Sequence, residues 1–164
     1  MRQINPEHIN SLLHLINNGP YFELLAMDVY ELGMGHAKLK VGLQRKHHNP
    51  FGIVHGGVYS SVIDTAAYWA VYCELDENVG YTSIDLSVNN LSAISEGEIV
   101  VEGRSIRIGK TICLAEATVK DAHGRMLAHG TSKLMLLNDR QSIEVAIAAM
   151  GFQLLPPKFI FTAN

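Results

Sequence analysis

The sequence predicts an α+β domain in which a curved antiparallel sheet wraps around one long apolar helix. From Gly57 to about Leu75, small and apolar residues form a nearly continuous run that is too long for a single strand. The segments on both sides alternate polar and apolar residues and are separated by turn residues, as antiparallel strands are. A helix that is apolar almost all round must be buried on most faces, and a curved sheet provides that burial.

The first predicted element is a short amphipathic helix over residues 5–18. Asn5 is a good N-cap, and Pro6 follows at the first helical position, where proline is favoured. Apolar residues then recur at helical spacing, at Ile9, Leu12, Leu13 and Ile16. The helix is expected to end at Asn18-Gly19-Pro20, so residues 1–20 are assigned to an N-terminal helical segment.

Strands are expected on both sides of the long helix. Residues 28–43 alternate in period two around Gly33-Met34-Gly35, which predicts a hairpin. After the helix, four alternating segments occupy residues 81–91, 97–108, 111–121 and 125–137. Because short turns join them, we expect them to lie as antiparallel neighbours in chain order. Residues 21–137 thus form the predicted core of the domain.

Residues 138–164 form the predicted C-terminal tail. Ile143, Ile147 and Met150 recur at helical spacing, and an apolar Leu154-Leu155-Pro156-Pro157 segment follows. We expect this helical tail to pack on the domain or on a partner chain. No linker divides the sequence, so residues 1–164 are interpreted as one domain.

Composition excludes several classes of function. The formal charge of −3 and the pI near 6.2 provide no basic field for nucleic acid. The two cysteines fit neither a disulfide framework nor a zinc site, and no cofactor or metal site is expected. The sequence shows neither a signal-peptide layout nor an apolar run of about 18 residues, so we expect a cytoplasmic protein without a membrane partner.

Asp64 stands inside the long apolar helix, where an unpaired carboxylate is costly. One interpretation is structural, either a solvated edge position or a hydrogen bond to Ser60 or Ser61, one turn earlier. The other is a chemical role, because His55-Gly56-Gly57 begins the same helix. The first N–H groups of a helix have no intrahelical acceptor and could stabilise an oxyanion in acyl transfer. Taken alone, the two glycines also fit a tight junction between loop and helix.

The spacing of these two features has a consequence for assembly. Seven residues place Gly57 and Asp64 on nearly the same helix face but about 10 Å apart along the axis. An oxyanion donor and a base or nucleophile must both lie within about 3 Å of one reacting group. We therefore expect a homodimer in which two antiparallel helices meet near Ser60-Ser61 and form two equivalent sites.

The segment from Asn49 to Gly57 reads N-P-x-G-x-x-H-G-G, and Asp64 follows the histidine by nine residues. This pattern resembles the PaaI-like branch of the hotdog-fold acyl-CoA thioesterases. The resemblance extends in element order over residues 20–137, with its specific motif in residues 49–64. It implies a hotdog fold and hydrolysis of an acyl-CoA to a free acid and CoA. It also suggests that two dimers could pair as a homotetramer, and dimer and tetramer are both kept open.

The resemblance implies roles for the motif residues. Gly57 would donate its N–H to the thioester oxyanion, with Gly56 as a further candidate. Asn49 would hold either the thioester carbonyl or the loop, and His55 would shape that loop. Asp64 would be the nucleophile or the general base, and the two roles stay open.

Two residues outside the motif complete the predicted centre. Ser83, on the strand after the helix, is chosen over Thr82 to position the attacking water, as a serine or threonine does in some family members. An exposed strand serine without a function is the alternative for Ser83. Tyr68, one turn after Asp64, is assigned to the acyl pocket, with ordinary core packing as its alternative.

A cluster of cations is assigned to the coenzyme A phosphates of such a substrate. Arg104, Arg107 and Lys110 lie close together before and within the turn at residues 108–110. Hotdog thioesterases often meet the nucleotide or pantetheine at such a turn, and cations suit its phosphates. The alternative is a set of solvated charges at the sheet edge.

Other chemistries fit the sequence less well. Gly109-Lys110-Thr111 lacks the earlier glycine of a phosphate-binding loop, and neither GxSxG nor HExxH occurs. A hotdog hydratase or dehydratase of acyl thioesters is one alternative function, although His55 leads directly into Gly-Gly. A non-catalytic acyl-CoA binding module is the other, because a fold alone does not fix a function.

Overall fold

Six antiparallel strands form one sheet around a long central helix in the computed structural model, which describes residues 2–138 and 140–161. The sheet strands, in chain order, are β2 (Met27–Gly33), β3 (His36–Gly42), β4 (Gly80–Asn90), β5 (Glu98–Arg107), β6 (Ile112–Asp121) and β7 (Met126–Leu137). The short strands at the two ends of the chain are β1 (Arg2–Ile4) and β8 (Phe159–Phe161). The helices are α1 (Pro6–Asn17), α2 (Pro20–Leu25), α3 (Gly56–Tyr72) and α4 (Ile143–Met150). The predicted α+β fold with a wrapped central helix is confirmed.

The central helix α3 fills the concave side of the sheet. Nine of its residues are buried, including Val62, Ile63 and Ala66, which are fully inaccessible to solvent. Gly103 of β5 is one reason for the close packing, since a Cβ there would lie 2.2 Å from the Ala66 carbonyl oxygen. Gly130 of β7 is another, since its Cβ would lie 2.9 Å from Ile63. Both glycines let the sheet approach the helix where a side chain would hold it off.

Helix α1 and the β2–β3 hairpin follow the prediction. Asn5 caps α1, and its side chain accepts a hydrogen bond from the Glu7 N–H at 3.0 Å, with Pro6 in the first turn. The hairpin of β2 and β3 turns at Met34-Gly35, where Gly35 has φ +73°, a value that favours glycine. A separate short helix, α2, follows α1 and was not predicted.

One prediction about the sheet is wrong. The strands after α3 do not lie side by side in chain order, because β4 pairs with β7 and β5 lies beyond β6. The segment 91–97 carries the chain across the end of the sheet, and its backbone is hydrogen-bonded on the way. Leu91 and Ser92 donate to the Leu127 carbonyl, and Ile94 accepts from the Val54 N–H. This crossing leaves β4 as a free edge of the sheet.

The C-terminal tail is only partly helical. After α4 the chain is irregular until β8, which pairs antiparallel with β1, so that the two ends of the chain form a small ribbon. The predicted tail therefore contains a strand as well as a helix, and residues 139 and 162–164 of it lie outside the described residues. Within the described ranges, none of the helices combines the length and hydropathy needed to cross a membrane.

Candidate active site

Asp64 is held by a serine of the neighbouring edge strand. The Ser83 hydroxyl of β4 donates to Asp64 Oδ1 at 2.8 Å, and both side chains are half-buried. No other hydrogen bond to this carboxylate is found in residues 2–138 and 140–161. The hydroxyls of Ser60 and Ser61 donate instead to backbone carbonyls one turn earlier in α3, at 3.3 and 2.9 Å. The predicted structural hydrogen bond from Ser60 or Ser61 to Asp64 is therefore wrong, whereas a solvated position of the carboxylate agrees with its half-buried state.

Tyr68 follows Asp64 by one turn and is fixed by a reciprocal contact with Tyr81 of β4. Each phenol donates to the backbone carbonyl of the other residue, at 3.2 and 3.1 Å, and the rings stack with centroids 4.2 Å apart. Burial raises the pKa of Tyr68 to about 12. The phenol is therefore protonated near pH 7 and cannot accept a proton there. Its ring forms part of the cavity wall beside Asp64.

Asp64 opens into a cavity of about 630 Å³, which is within the size range of small-molecule sites. Its walls come from α2, α3, β4 and the segment 141–149, and they are largely aromatic or aliphatic. The aromatic residues of the lining are Tyr21, Phe22, Tyr68, Trp69, Tyr72 and Tyr81. Asp64, Ser60, Ser61 and Thr65 supply polar groups on the α3 side. The cavity can hold an apolar acyl group beside one carboxylate.

The start of α3 is closed by its own histidine. His55 is the N-cap, and its Nδ1 accepts the Gly57 N–H at 2.8 Å. The Gly57 N–H, which is the predicted oxyanion donor, is therefore engaged within the chain. Gly56 lies against the Asn90 side chain, since a Cβ at Gly56 would be 2.7 Å from Asn90 Nδ2. A side chain at Gly56 would have to displace that amide group.

Asn49 organises the loop that leads to α3. Its Oδ1 accepts the Phe51 N–H at 2.9 Å and the Ile53 N–H at 3.4 Å, while its carbonyl accepts from Gly52 at 3.0 Å. Asparagine often builds turns of this kind, because its side chain replaces a backbone acceptor. Asn49 thus makes the loop contacts that one of its two predicted roles requires, and its contact with the thioester carbonyl stays a prediction.

The two halves of the predicted centre lie apart within one chain. Gly57 and Asp64 both belong to α3, so their seven-residue spacing corresponds to about 10 Å along the helix axis. His55 and Gly57 are exposed, and Gly56 is partly exposed. One chain therefore presents an open helix start at one place and a carboxylate with a cavity at another.

The three predicted phosphate-binding cations are exposed. Arg104 is paired with Glu116 on β6 at 2.5 Å, on the face of the sheet away from α3. Hydrogen bonds from Arg104 and His129 hold the pKa of Glu116 below its ordinary value. For Arg107 and Lys110, no ion pair is found within the described residues. Arg107 and Lys110 are thus better placed than Arg104 to receive an anion.

The free edge of the sheet lies beside Asp64. Strand β4 pairs with β7 on one side only, and Ile84 and Leu86 on this strand are 50% and 37% exposed. Unpaired edges with exposed apolar side chains are sites where a second chain can add to a sheet. Leu86 also lines the cavity, so a chain that covered this edge would help to enclose it.

Several contributors to the site were not found by sequence reasoning. Asn90 reaches the helix start from the far end of β4, and no sequence pattern marks that contact. Tyr21 and Phe22 belong to α2, a helix that was not recognised. Val145, Ala146 and Ala149 of the tail line the cavity. The spacing of Ile143, Ile147 and Met150 predicted the helix, but the position of that helix against α3 depends on the path of the whole tail.

The sequence is similar to a known protein family and to several enzymes. The model of the thioesterase superfamily matches residues 51–128. Acyl-coenzyme A thioesterase 13 of Mus musculus is 22% identical over 128 residues, which is 76% of this chain and 91% of the mouse protein. The 1,4-dihydroxy-2-naphthoyl-CoA hydrolase of Listeria monocytogenes is 23% identical over 105 residues, covering 64% of this chain and 85% of the hydrolase.

A solved structure is also similar. The crystal structure of a thioesterase from Haemophilus influenzae superposes with a TM-score of 0.74 at 18% identity, covering 80% of this chain and 91% of that one. At this identity the likeness concerns the fold, which is the hotdog arrangement of a central helix in a curved sheet.

Proposed function

Residues 51–128 match the model of the thioesterase superfamily, the protein is a thioester hydrolase with the hotdog fold, and we propose that it hydrolyses an acyl-CoA to a free carboxylic acid and CoA. The observation that carries this proposal is the Asp64–Ser83 pair at the mouth of an apolar cavity. The carboxylate keeps an oxygen without a partner in the described residues, so it can accept a proton or attack a carbonyl carbon.

In the proposed reaction, the acyl chain lies in the cavity of one subunit, and the thioester carbonyl faces the start of α3 in the other subunit. The carbonyl oxygen displaces His55 from the Gly57 N–H and gains charge there, where the helix dipole also stabilises an anion. Gly56 is the second candidate donor. Asn49 keeps the loop in shape, and His55 closes the helix when no substrate is bound.

Asp64 acts on the carbonyl carbon in one of two ways. As a general base it takes a proton from water, whose oxygen bonds to the carbon while the C–S bond breaks and the CoA sulfur is protonated. As a nucleophile it forms an acyl anhydride with release of the thiol, and water then cleaves the anhydride. In both cases Ser83 orients the carboxylate by its 2.8 Å hydrogen bond.

The site is proposed to need two chains. The helix start and the carboxylate of one chain lie about 10 Å apart along α3, too far to reach one reacting group. A homodimer with antiparallel α3 helices brings Asp64 of one subunit to Gly57 of the other, and the free β4 edge offers a surface for that contact. Pairing of two such dimers as a tetramer is compatible with this arrangement.

Coenzyme A is proposed to meet the exposed cations at the end of β5. Arg107 and Lys110 would pair with its phosphates, and Arg104 would have to leave Glu116 to join them.

A cytoplasmic location is proposed as well, because Cys73 and Cys113 are free and buried, as is usual in reducing compartments.

The test is thiol release from a panel of short, long and aromatic acyl-CoAs by the wild type and by Asp64→Asn. The variant keeps the size of the side chain but loses the basic carboxylate, so kcat should fall by roughly 100-fold or more. Asp28→Asn is the matched control, because Asp28 is an exposed carboxylate on β2 that pairs with Lys40 outside the cavity.

Thermal unfolding should show that all three proteins are folded. Hydrolysis by Asp64→Asn at the wild-type rate would contradict the role of Asp64. A wild type that binds acyl-CoA without releasing thiol would point instead to the binding module considered above.

A further inference from the structure

The C-terminal helix α4 forms one wall of the candidate active-site cavity. Val145, Ala146 and Ala149 line the cavity, whereas Ile147 on another side of the helix is buried in the core. The helix thus presents these residues, together with Ile143 of its first turn, to the space that the proposed acyl group would occupy. The superfamily match ends at residue 128, so this wall is added by a segment outside it.

The wall stands beyond Asp64, toward the C-terminal end of α3. Gln141, just before α4, lines the same cavity as Tyr68. The backbone of residues 140–141 rests on Gly80, where a Cβ would come within 1.6 Å of the Arg140 carbonyl oxygen. The cavity lining on α3 extends as far as Tyr72, eight residues after Asp64 and about 12 Å along the axis.

The wall is anchored on both sides of α4. After the helix, His8 Nδ1 lies 2.6 Å from the Pro156 carbonyl oxygen, and the Lys158 N–H donates to Glu77 at 2.7 Å. The buried Lys158 ammonium donates to the Leu75 carbonyl at 2.8 Å and to that of Tyr72, at the end of α3. Pairing of β8 with β1 then fixes the end of the segment. A wall held in this way can exclude an acyl group by its shape.

We propose that α4 sets the length of the acyl chain that the site accepts, with Ala149 and Val145 as the residues that determine the limit. The inference rests on the proposed function, because it assigns the cavity to the acyl group. The small Ala149 side chain leaves room at the wall, and a larger one fills the space that the end of a long chain needs. Filling or emptying a packed apolar pocket by a few carbon atoms changes affinity strongly.

The experiment compares Ala149→Leu with Ala148→Leu on straight-chain acyl-CoAs from acetyl to dodecanoyl. Ala148 and Ala149 are both exposed, but only Ala149 lines the cavity, so the substitution of Ala148 adds the same atoms outside the site. For Ala149→Leu, the ratio of kcat/KM for the longest accepted chain to that for acetyl should fall by roughly tenfold or more. Val145→Ala should move the same ratio in the opposite direction.

An unchanged chain-length profile in Ala149→Leu would overturn the inference, while hydrolysis by the wild type would leave the proposed function standing. If the wild type released no thiol, calorimetric titration with the same acyl-CoAs would decide. Weaker binding of long chains by Ala149→Leu alone would support the wall without hydrolysis. Equal binding by the variants, or no binding by the wild type, would overturn it.

Discussion

Asp64 and Ser83 show how a polar pair is accommodated beside an apolar core. A carboxylate in the middle of a helix as apolar as α3 is destabilising unless it is hydrogen-bonded or solvated. The Ser83 hydroxyl supplies one hydrogen bond, and the cavity leaves the rest of the carboxylate open to water or substrate. An arrangement with one restrained and one available oxygen is useful to a base or nucleophile, because it fixes the direction of attack.

Replacement of Ser83 by alanine should lower kcat by roughly tenfold with little change in KM, because Asp64 would lose its orienting partner but the acyl pocket would remain. Steady-state thiol release over a range of acyl-CoA concentrations separates the two parameters. Thr82→Ala is the matched control, since Thr82 precedes Ser83 on β4 and makes no hydrogen bond to Asp64. Ser83→Thr should restore most of the rate. Equal losses in the Thr82 and Ser83 variants would contradict the positioning role.

For single residues, the sequence indicates which side chains are candidates for the reaction better than it indicates which atoms those side chains contact. Asp64 and Ser83 were both selected from the chain, and the structure brings them together. The contact between the His55 ring and the Gly57 N–H was not predicted, because the motif indicates which residues start the helix but not the rotamer of its cap. Asn90 was missed for a different reason, since its contact with Gly56 depends on where β4 ends.

Gly103 and Gly130 determine how closely the sheet wraps α3. Each lies where a Cβ would overlap atoms of the helix or of a neighbouring strand, so the absence of a side chain permits the observed packing. Close packing at these positions fixes α3 relative to β4. It therefore also fixes the position of Asp64 relative to Ser83.

Gly103→Ala should lower the free energy of unfolding by about 1–3 kcal/mol, because the added methyl would overlap the Ala66 carbonyl oxygen. Urea unfolding of the purified protein measures this quantity. Gly42→Ala is the control, since a Cβ at Gly42 meets no atom within 4 Å. The control should change stability by no more than about 0.5 kcal/mol. Similar losses in both variants would show that Gly103 has no special packing role.

The elements themselves were largely predictable, whereas their order in the sheet was not. Period-two and helical patterns located the hairpin of β2 and β3, the long helix and the later strands, since these patterns report which side of an element is buried. The position of β4 beside β7 depends on the path of residues 91–97 across the sheet. That path is fixed by contacts such as Val54 with Ile94, which are remote in sequence.

The whole molecule presents the proposed catalytic groups at two separated places. Gly57 at the exposed start of α3 and Asp64 in the cavity can act together only if a second chain supplies the missing half. The sequence spacing already predicted this separation, because it follows from the rise of a helix alone. The interpretation of residues 1–164 as one domain and the oligomeric state remain predictions.

The central claim is that one site uses Asp64 of one subunit and the helix start of the other. The measurement that tests it most directly is thiol release by a heterodimer of Asp64→Asn and Gly57→Pro, coexpressed with two different tags and purified through both. Proline in the first turn removes the Gly57 N–H while remaining compatible with the helix. Each homodimer should be nearly inactive, since both of its sites carry one defect.

In the heterodimer, one site carries both defects and the other carries neither, so about half of the wild-type turnover per dimer should return. Recovery to that level would establish a site shared between two subunits. A heterodimer as inactive as its two parent homodimers, although folded and dimeric, would contradict it.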